Sequence, residues 1–235
     1  SPLPSMQVFR VIPERSDHGC VLTLGNFDGV HRGHQALLAK LRAKSRANGL
    51  PSAVLTFEPH PREYFTHENR PIRLTSLREK IQRIADQGVD RLYIGRFNAR
   101  FAALTAEQFI EEILVRGLGA RHLMIGDDFR FGKGRQGDFA LLEATGKTAG
   151  FTVEAMHTLV HEGERVSSSA VREALAEGDM PHAARLLGHP YSISGRVMHG
   201  DKIGRSIGFP TANIQLKHRS PPLMGIYTVS VEGLV

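Results

Sequence analysis

Gly25-Asn26-Phe27-Asp28-Gly29-Val30-His31-Arg32-Gly33-His34 joins an apolar run, Cys20-Val21-Leu22-Thr23-Leu24, to Gln35-Ala36-Leu37-Leu38-Ala39-Lys40-Leu41, whose apolar residues fall at helical spacing. Glycines and histidines therefore gather where a strand turns into a helix. Glycine lets the backbone approach a ligand closely. A helix start presents unpaired N–H groups and the positive end of the dipole. His31 and His34 add two donors on one face. The stretch reads as a phosphate site without the lysine of a P-loop. Two surface histidines in a first helical turn are one alternative. A metal pair is another, although no nearby Cys, Asp or Glu completes a ligand set. Gly25, Gly29 and Gly33 together favour a close ligand. Asp28 has two readings, a local turn cap or a group that positions the loop, and the sequence leaves both open.

The same alternation runs outward from this stretch. Near-continuous apolar segments predict strands at 20–25, 53–57, 91–95, 121–126 and 151–155, as when both faces of a parallel sheet are covered. Helical spacing predicts helices near 33–48, 76–87, 105–116, 137–148 and 168–187, the last in two pieces. Ser76 with Glu79 and Thr105 with Gln108 have capping-box spacing. Leu77, Ile81, Ile84 and Ala85 form a buried stripe, and Gly88 ends that helix. The implied fold is an α/β, doubly wound, Rossmann-like parallel sheet, with ligands at the carboxyl ends of its strands.

Gly188-His189-Pro190 breaks this rhythm. Tyr191 to Val197 and Ile226 to Val231 then alternate with period two around a glycine-rich stretch. A second, β-type domain is predicted from there, giving domains at 6–187 and 188–235. About 45 residues are too few for a sizeable core, so the second is expected to be incomplete.

The composition, 235 residues with 41% hydrophobic and 23% charged, is that of a globular protein. The net charge of +6 admits nucleic acid, a membrane surface or a phosphorylated substrate. Its 30 Lys and Arg are scattered, which favours phosphorylated small molecules. A basic nucleic-acid-binding module would need a basic stripe with stacking aromatics, yet there is no Trp and the four Tyr are dispersed. Cys20 is the only cysteine, which predicts a reducing cytoplasm. No segment reads as a membrane span or a signal peptide. Ser1-Pro2-Leu3-Pro4-Ser5 before Met6 reads as a cloning remnant.

Three further stretches carry chemistry. In Thr56-Phe57-Glu58-Pro59-His60-Pro61, the prolines fix the backbone, and Phe57 and His60 suit a rim for a flat ring. A plain Pro-rich turn is the alternative. In Gly126-Asp127-Asp128-Phe129-Arg130-Phe131-Gly132-Lys133-Gly134, aromatics among charges suit a ligand wall, or belong to the core. Two decoys overlap it. Gly132 to Gly137 has G-x-G-x-x-G spacing but follows charged residues, and Gly126 to Lys133 misses P-loop spacing by one. In Val166-Ser167-Ser168-Ser169-Ala170-Val171-Arg172, hydroxyls and a guanidinium at a helix start suit a triphosphate, beyond simple capping.

Together these motifs resemble the nucleotidylyltransferase superfamily and most closely the bacterial bifunctional riboflavin kinase/FAD synthetase family. The resemblance runs from about Val8 to Gly233. It implies FAD synthesis by transfer of AMP from ATP to FMN with release of pyrophosphate. It assigns ATP binding to Gly25, Phe27, Asp28, His31, Gly33, His34, Ser167, Ser168, Ser169 and Arg172, with His31, His34 and Arg172 catalytic. Ser169 stands where the family has threonine, keeping the hydroxyl. Flavin binding falls to Phe57, Pro59, His60, Pro61, Asp127, Asp128, Phe129 and Phe131. Gly208-Phe209-Pro210-Thr211-Ala212-Asn213 is similar to the riboflavin kinase motif, which gives Thr211 and Asn213 the nucleotide and Mg2+ of a β-barrel kinase domain. The kinase's general base is expected beyond residue 235, so this polypeptide is not expected to phosphorylate riboflavin. The expected partners are small molecules only, ATP, FMN and riboflavin, with no nucleic acid and no membrane. The sequence does not set the oligomeric state. A sister nucleotidylyltransferase with another phosphorylated acceptor is the rival enzyme reading.

Overall fold

The apolar run ahead of the glycine loop is strand β2 (Cys20–Leu24), buried at every position. In this computed structural model, which describes residues 5–66, 68, 70–200, 203–206, 208, 211–216 and 220–233, it pairs in parallel with β3 (Ser52–Glu58) and β5 (Ala120–Gly126). Residues 1–4 of the predicted remnant, and Asp201, Lys202, Ile207, Phe209 and Pro210 of the glycine-rich loop, lie outside the described residues. β4 (Arg91–Arg96) and β6 (Thr152–Met156) continue the parallel sheet, and β1 (Gln7–Phe9) adds an edge, in the order β1-β4-β3-β2-β5-β6. β3 and β4 run outward to one side of β2, and β5 and β6 to the other. That reversal makes the carboxyl end of β2 the switch point at which α/β sheets open a crevice. Gly25 is the first residue past it.

The predicted strands are present within a residue or two of their expected bounds. β1 was not legible, because three half-exposed edge residues make no apolar run. α1 (Arg32–Asn48) and α3 (Leu77–Asp86) pack on one face with Val21, Val54 and Leu92. The Ser76–Glu79 capping box that starts α3 is formed in both directions. The opposite face packs Leu22, Leu55 and Leu123 against Phe109, Ile110 and Leu142. Leu142 comes from α6 (Phe139–Ala149). Phe109 and Ile110 come from a helix that opens as α5 (Ala106–Gln108) and continues as a π-helix over Phe109–Gly117. Sequence periodicity predicts an α-helix there, since two turns are too few to distinguish the two pitches.

A third cluster joins α7 (Ser168–Ala176) and α8 (Met180–Leu187) to Leu74. The hairpin of β7 (Val160–His161) and β8 (Glu164–Arg165) leads into α7. Short helices α2 (Pro61–Phe65) and α4 (Ala99–Ala102) complete this unit. Past Gly188, β9 (Gly195–Met198) and β10 (Asn213–Leu216) form an antiparallel pair exposed throughout, with α9 (Ile203–Ser206) between them. The alternating segment 226–231 joins no strand among the described residues, and Ile226 and Val229 are exposed. Nor do the described residues close a β-barrel. No helix among them is long and apolar enough to cross a membrane.

Candidate functional site

The loop from Gly25 to His31 is held by a buried carboxylate. Asp28, 4% exposed, accepts the backbone N–H groups of Leu74 and Thr75 and the hydroxyl of Thr75, at 3.0 to 3.1 Å. Its Oδ2 also pairs with Arg172 Nη2 at 2.6 Å. Arg172 Nε donates to the Ile72 carbonyl, and the Ser168 hydroxyl to the Asp28 carbonyl at 2.9 Å. The loop after β2 and the start of α7, 140 residues apart in the chain, are thus one hydrogen-bonded body. Of the two sequence readings of Asp28, the positioning one accounts for these contacts. A carboxylate engaged by three internal donors and a guanidinium has little left for ATP.

The loop needs left-handed backbone, with φ of 55° at Phe27, 84° at Gly29 and 44° at Val30. A Cβ on Gly29 would also come within 2.8 Å of Leu74 Cδ1. The Phe27 ring is buried, 5.0 Å from the His34 ring, so it anchors the loop.

His31 caps α1, its Nδ1 accepting from the His34 backbone N–H at 3.3 Å. That bond leaves the ring proton on Nε2. The His31 and His34 rings stack at 3.6 Å, and a Cβ on Gly33 would lie 2.9 Å from His31 Cε1. Burial lowers the His31 pKa to about 4, with Asp28 opposing and Arg172 assisting. Burial, His31 and Lys80 hold His34 well below its usual range. Both imidazoles are neutral at pH 7 and offer single N–H donors. Ser167 caps α7 by accepting from Ala170 N–H, whereas Ser169 is exposed.

The predicted flavin side is divided. His60 does not sit in a plain turn but caps α2, accepting from Arg62 N–H at 3.2 Å, and burial followed by Lys80 lowers its pKa to about 4. Pro59, His60 and Pro61 are half-buried, and Asp127 and Asp128 are exposed, Asp127 meeting His157 at 3.2 Å. Phe57 corrects the expectation of a rim, and Phe131 takes the core reading of the two that the sequence left open. Both lie in the core, at 9% and 6% exposed, so the Phe57 ring forms no rim. Phe57 packs on Phe101 at 4.9 Å, Phe101 on Phe109 at 5.9 Å, Phe109 on Phe131 at 5.2 Å, and Phe131 on Phe129 at 5.9 Å. This aromatic chain ties the two loops from beneath, leaving the half-buried Phe129 nearest the surface. The decoy Gly132 to Gly137 contains only a 3₁₀ turn, Lys133–Arg135, after a loop rather than a strand.

Several residues escaped the sequence reading. Arg73 holds Glu58 at 2.6 Å and Glu63 at 2.5 Å beside the Pro59 turn. Tyr64 and Phe65 pack on Phe97 at 5.3 and 5.7 Å. Lys80 is 3% exposed, with its ammonium 3.3 Å from Asn26 Oδ1. Its signal was available, since a lysine between Leu77 and Ile84 falls on the apolar stripe of α3. In the tail, Thr211 and Asn213 are exposed at the head of β10.

Comparison with known proteins agrees along the chain. Residues 13–170 match the family described as FAD synthetase, and residues 187–234 match the one described as riboflavin kinase. The chain is 52% identical over 223 residues to the bifunctional riboflavin kinase/FMN adenylyltransferase of Escherichia coli K12, covering 95% of this chain and 71% of that protein. It is 53% identical over 219 residues to the protein of that name from Pseudomonas fluorescens, covering 93% and 70%. The fold is similar to the crystal structure of a macrolide-efflux protein from Streptococcus pneumoniae, with a TM-score of 0.75, 29% identity, and coverage of 89% of this chain and 70% of that one.

Proposed function

This chain belongs to the FAD synthetase family, and from that premise we propose that its unit at 6–187 transfers AMP from ATP to FMN, releasing pyrophosphate. The observation that carries this reading is the loop at the switch point, with two neutral imidazoles at a helix start and a second helix start fixed to it through Asp28, Ser168 and Arg172. Both reactants are anions, so catalysis is a matter of alignment and charge. An FMN phosphate oxygen attacks the α-phosphorus, and the electron pair of the broken P–O bond leaves with pyrophosphate. His31 and His34 donate to the triphosphate through N–H groups that need no reorganisation. Backbone N–H groups at the start of α1 face the same anion, whereas those of Gly25, Gly29 and Val30 are taken by Leu55, Thr75 and Phe27. Ser167, Ser168, Ser169 and Arg172 bind the β and γ phosphates, Arg172 while held by Asp28.

On the acceptor side, Pro59, His60, Pro61, Asp127, Asp128 and Phe129 bind FMN above the aromatic chain in which Phe57 and Phe131 form the floor. Residues 188–235 contribute to a riboflavin kinase domain, with Thr211 and Asn213 on its nucleotide, a role supported by the match over 187–234. Magnesium is proposed for both reactions. Thr211 and Asn213 offer hard oxygen donors, as that ion prefers. Among the described residues no cluster of three or more His, Cys, Asp or Glu suits a metal, so in the adenylyl site phosphate oxygens and water would hold it. When bound it offsets phosphate charge. A cytoplasmic location is supported by Cys20, whose buried thiol is free and pushed up to about 12.

The test supplies ATP with FMN and, separately, ATP with riboflavin, and resolves the products by chromatography. FAD is expected from FMN, and His31→Ala is expected to slow it on the order of a hundredfold. A normal rate in that variant removes His31 from the mechanism, and absence of FAD from the unaltered chain refutes the reading.

A further inference from the structure

Lys80 is a buried cation with too few partners. At 3% exposed, its ammonium has three protons to place, yet among the described residues it makes one hydrogen bond, to Asn26 Oδ1 at 3.3 Å, and no ion pair. The carboxylates around it are spoken for. Glu58 and Glu63 bind Arg73, and Asp28 binds Arg172 with the Leu74–Thr75 backbone. A charge removed from water is costly unless paired. An anion that arrives with the substrates completes such a site.

The place of Lys80 says which anion. Asn26 belongs to the nucleotide loop, and its carbonyl accepts from the Thr56 hydroxyl at 3.3 Å, immediately before the Phe57–Pro61 segment on the flavin side. The ammonium therefore stands where the two substrate loops diverge. Its field reaches His34 on one side and His60 on the other.

We propose that Lys80 is a further catalytic residue of AMP transfer, its ammonium bridging the attacking phosphate of FMN and the α-phosphate of ATP. This rests on the AMP-transfer reading above. As the new P–O bond forms and the bond to pyrophosphate breaks, Lys80 gains and loses no proton. It offsets the repulsion between two anions and the charge on the transferring phosphorus oxygens.

The experiment compares wild type, Lys80→Met, Lys80→Gln and Lys80→Arg as the full chain, with ATP, magnesium and FMN. Three measurements are made: kcat for FAD, the melting temperature, and the affinities for FMN and riboflavin by flavin fluorescence. Lys80→Met is expected to lose about a hundredfold in kcat. It should melt no lower than wild type, because an under-paired buried charge is replaced by an apolar chain of similar length. It should bind FMN more weakly while binding riboflavin, which has no phosphate, as before, and Lys80→Arg should regain part of the rate. A kcat within about threefold of wild type in Lys80→Met overturns the proposal, as does equal loss of FMN and riboflavin binding. If the Met variant does not fold, Lys80→Gln, which keeps a donor to Asn26, is judged by the same criteria. Wild-type chain that makes no FAD defeats the AMP-transfer reading itself. FAD synthesis that survives loss of Lys80 defeats only the role of Lys80.

Discussion

β2 and β9 both carry large apolar side chains, Val21 and Leu22 in the one and Val197 and Met198 in the other, and these have opposite fates. Every side chain of β2 is buried between two helical layers, while Val197 and Met198 of β9 stay about half exposed. β10 repeats the pattern, with Ile214 and Leu216 near 40% exposed. Apolar content alone does not bury a strand. β2 is covered because α1 and α3 lie on one face and the 106–117 helix and α6 on the other. Polar groups follow the same division. In the sheet unit, buried Asp28 is met by donors from two distant segments, Leu74–Thr75 and α7, and in the tail Thr211 and Asn213 face solvent. Recognition in the first unit is preorganised, which spares the enzyme the cost of assembling its donors at the moment of reaction.

This contrast is open to measurement. Leu22→Ala, in the buried centre of β2, is expected to cost about 4 kcal/mol in denaturant unfolding; a cost under 1 kcal/mol would mean the central strand is loosely covered. Asp28→Ala should cost about 3 kcal/mol, because it leaves the Leu74 and Thr75 N–H groups and Arg172 without their acceptor. It should also slow FAD formation by separating the two helix starts. Unaltered stability would show that the loop stands without its carboxylate.

The neutral histidines make a comparable prediction for acid. The unfolded chain takes up a proton at His31 near its ordinary value of 6.5, and the folded chain only near 4. The unfolded state thus binds more protons in between. Stability is full above about pH 6.5 and falls as the pH drops toward about 4, by roughly 3 kcal/mol from His31 alone. His31→Gln should flatten that slope in urea titrations run from pH 7 to 4, and an unchanged slope would place the histidine in water. The smallest effect belongs to the tail. Val197→Ser should change stability by under about 0.5 kcal/mol, and a loss of 2 kcal/mol would reveal a covering layer on β9.

Much of the active unit was legible before any coordinates. Five strands and their helices were visible because both periodicities are strong where faces are buried, and the capping of α3 by Ser76 followed from spacing. The junction from β2 through the Gly25–His31 loop to α1 was readable because an apolar run, a glycine-rich turn and a helical period follow one another directly. Phe57 was read as a rim, and Phe131 was left between wall and core, for the same reason that makes such readings local. A phenylalanine beside charges looks like a wall, and whether its ring turns to a ligand or to the core depends on Phe97, Phe101 and Phe109, residues distant in sequence.

The sequence by itself determined the doubly wound sheet and the glycine-rich turn between β2 and α1, because hydrophobic period and backbone freedom are properties of neighbouring residues; the strand order that makes this turn the switch point came from the packed sheet. Only the tertiary structure decided that Asp28 clamps the start of α7 to the loop after β2, that the paired imidazoles are neutral, and that Lys80 stands buried beside Asn26. Desolvation and hydrogen-bond partnership depend on what the rest of the chain brings alongside.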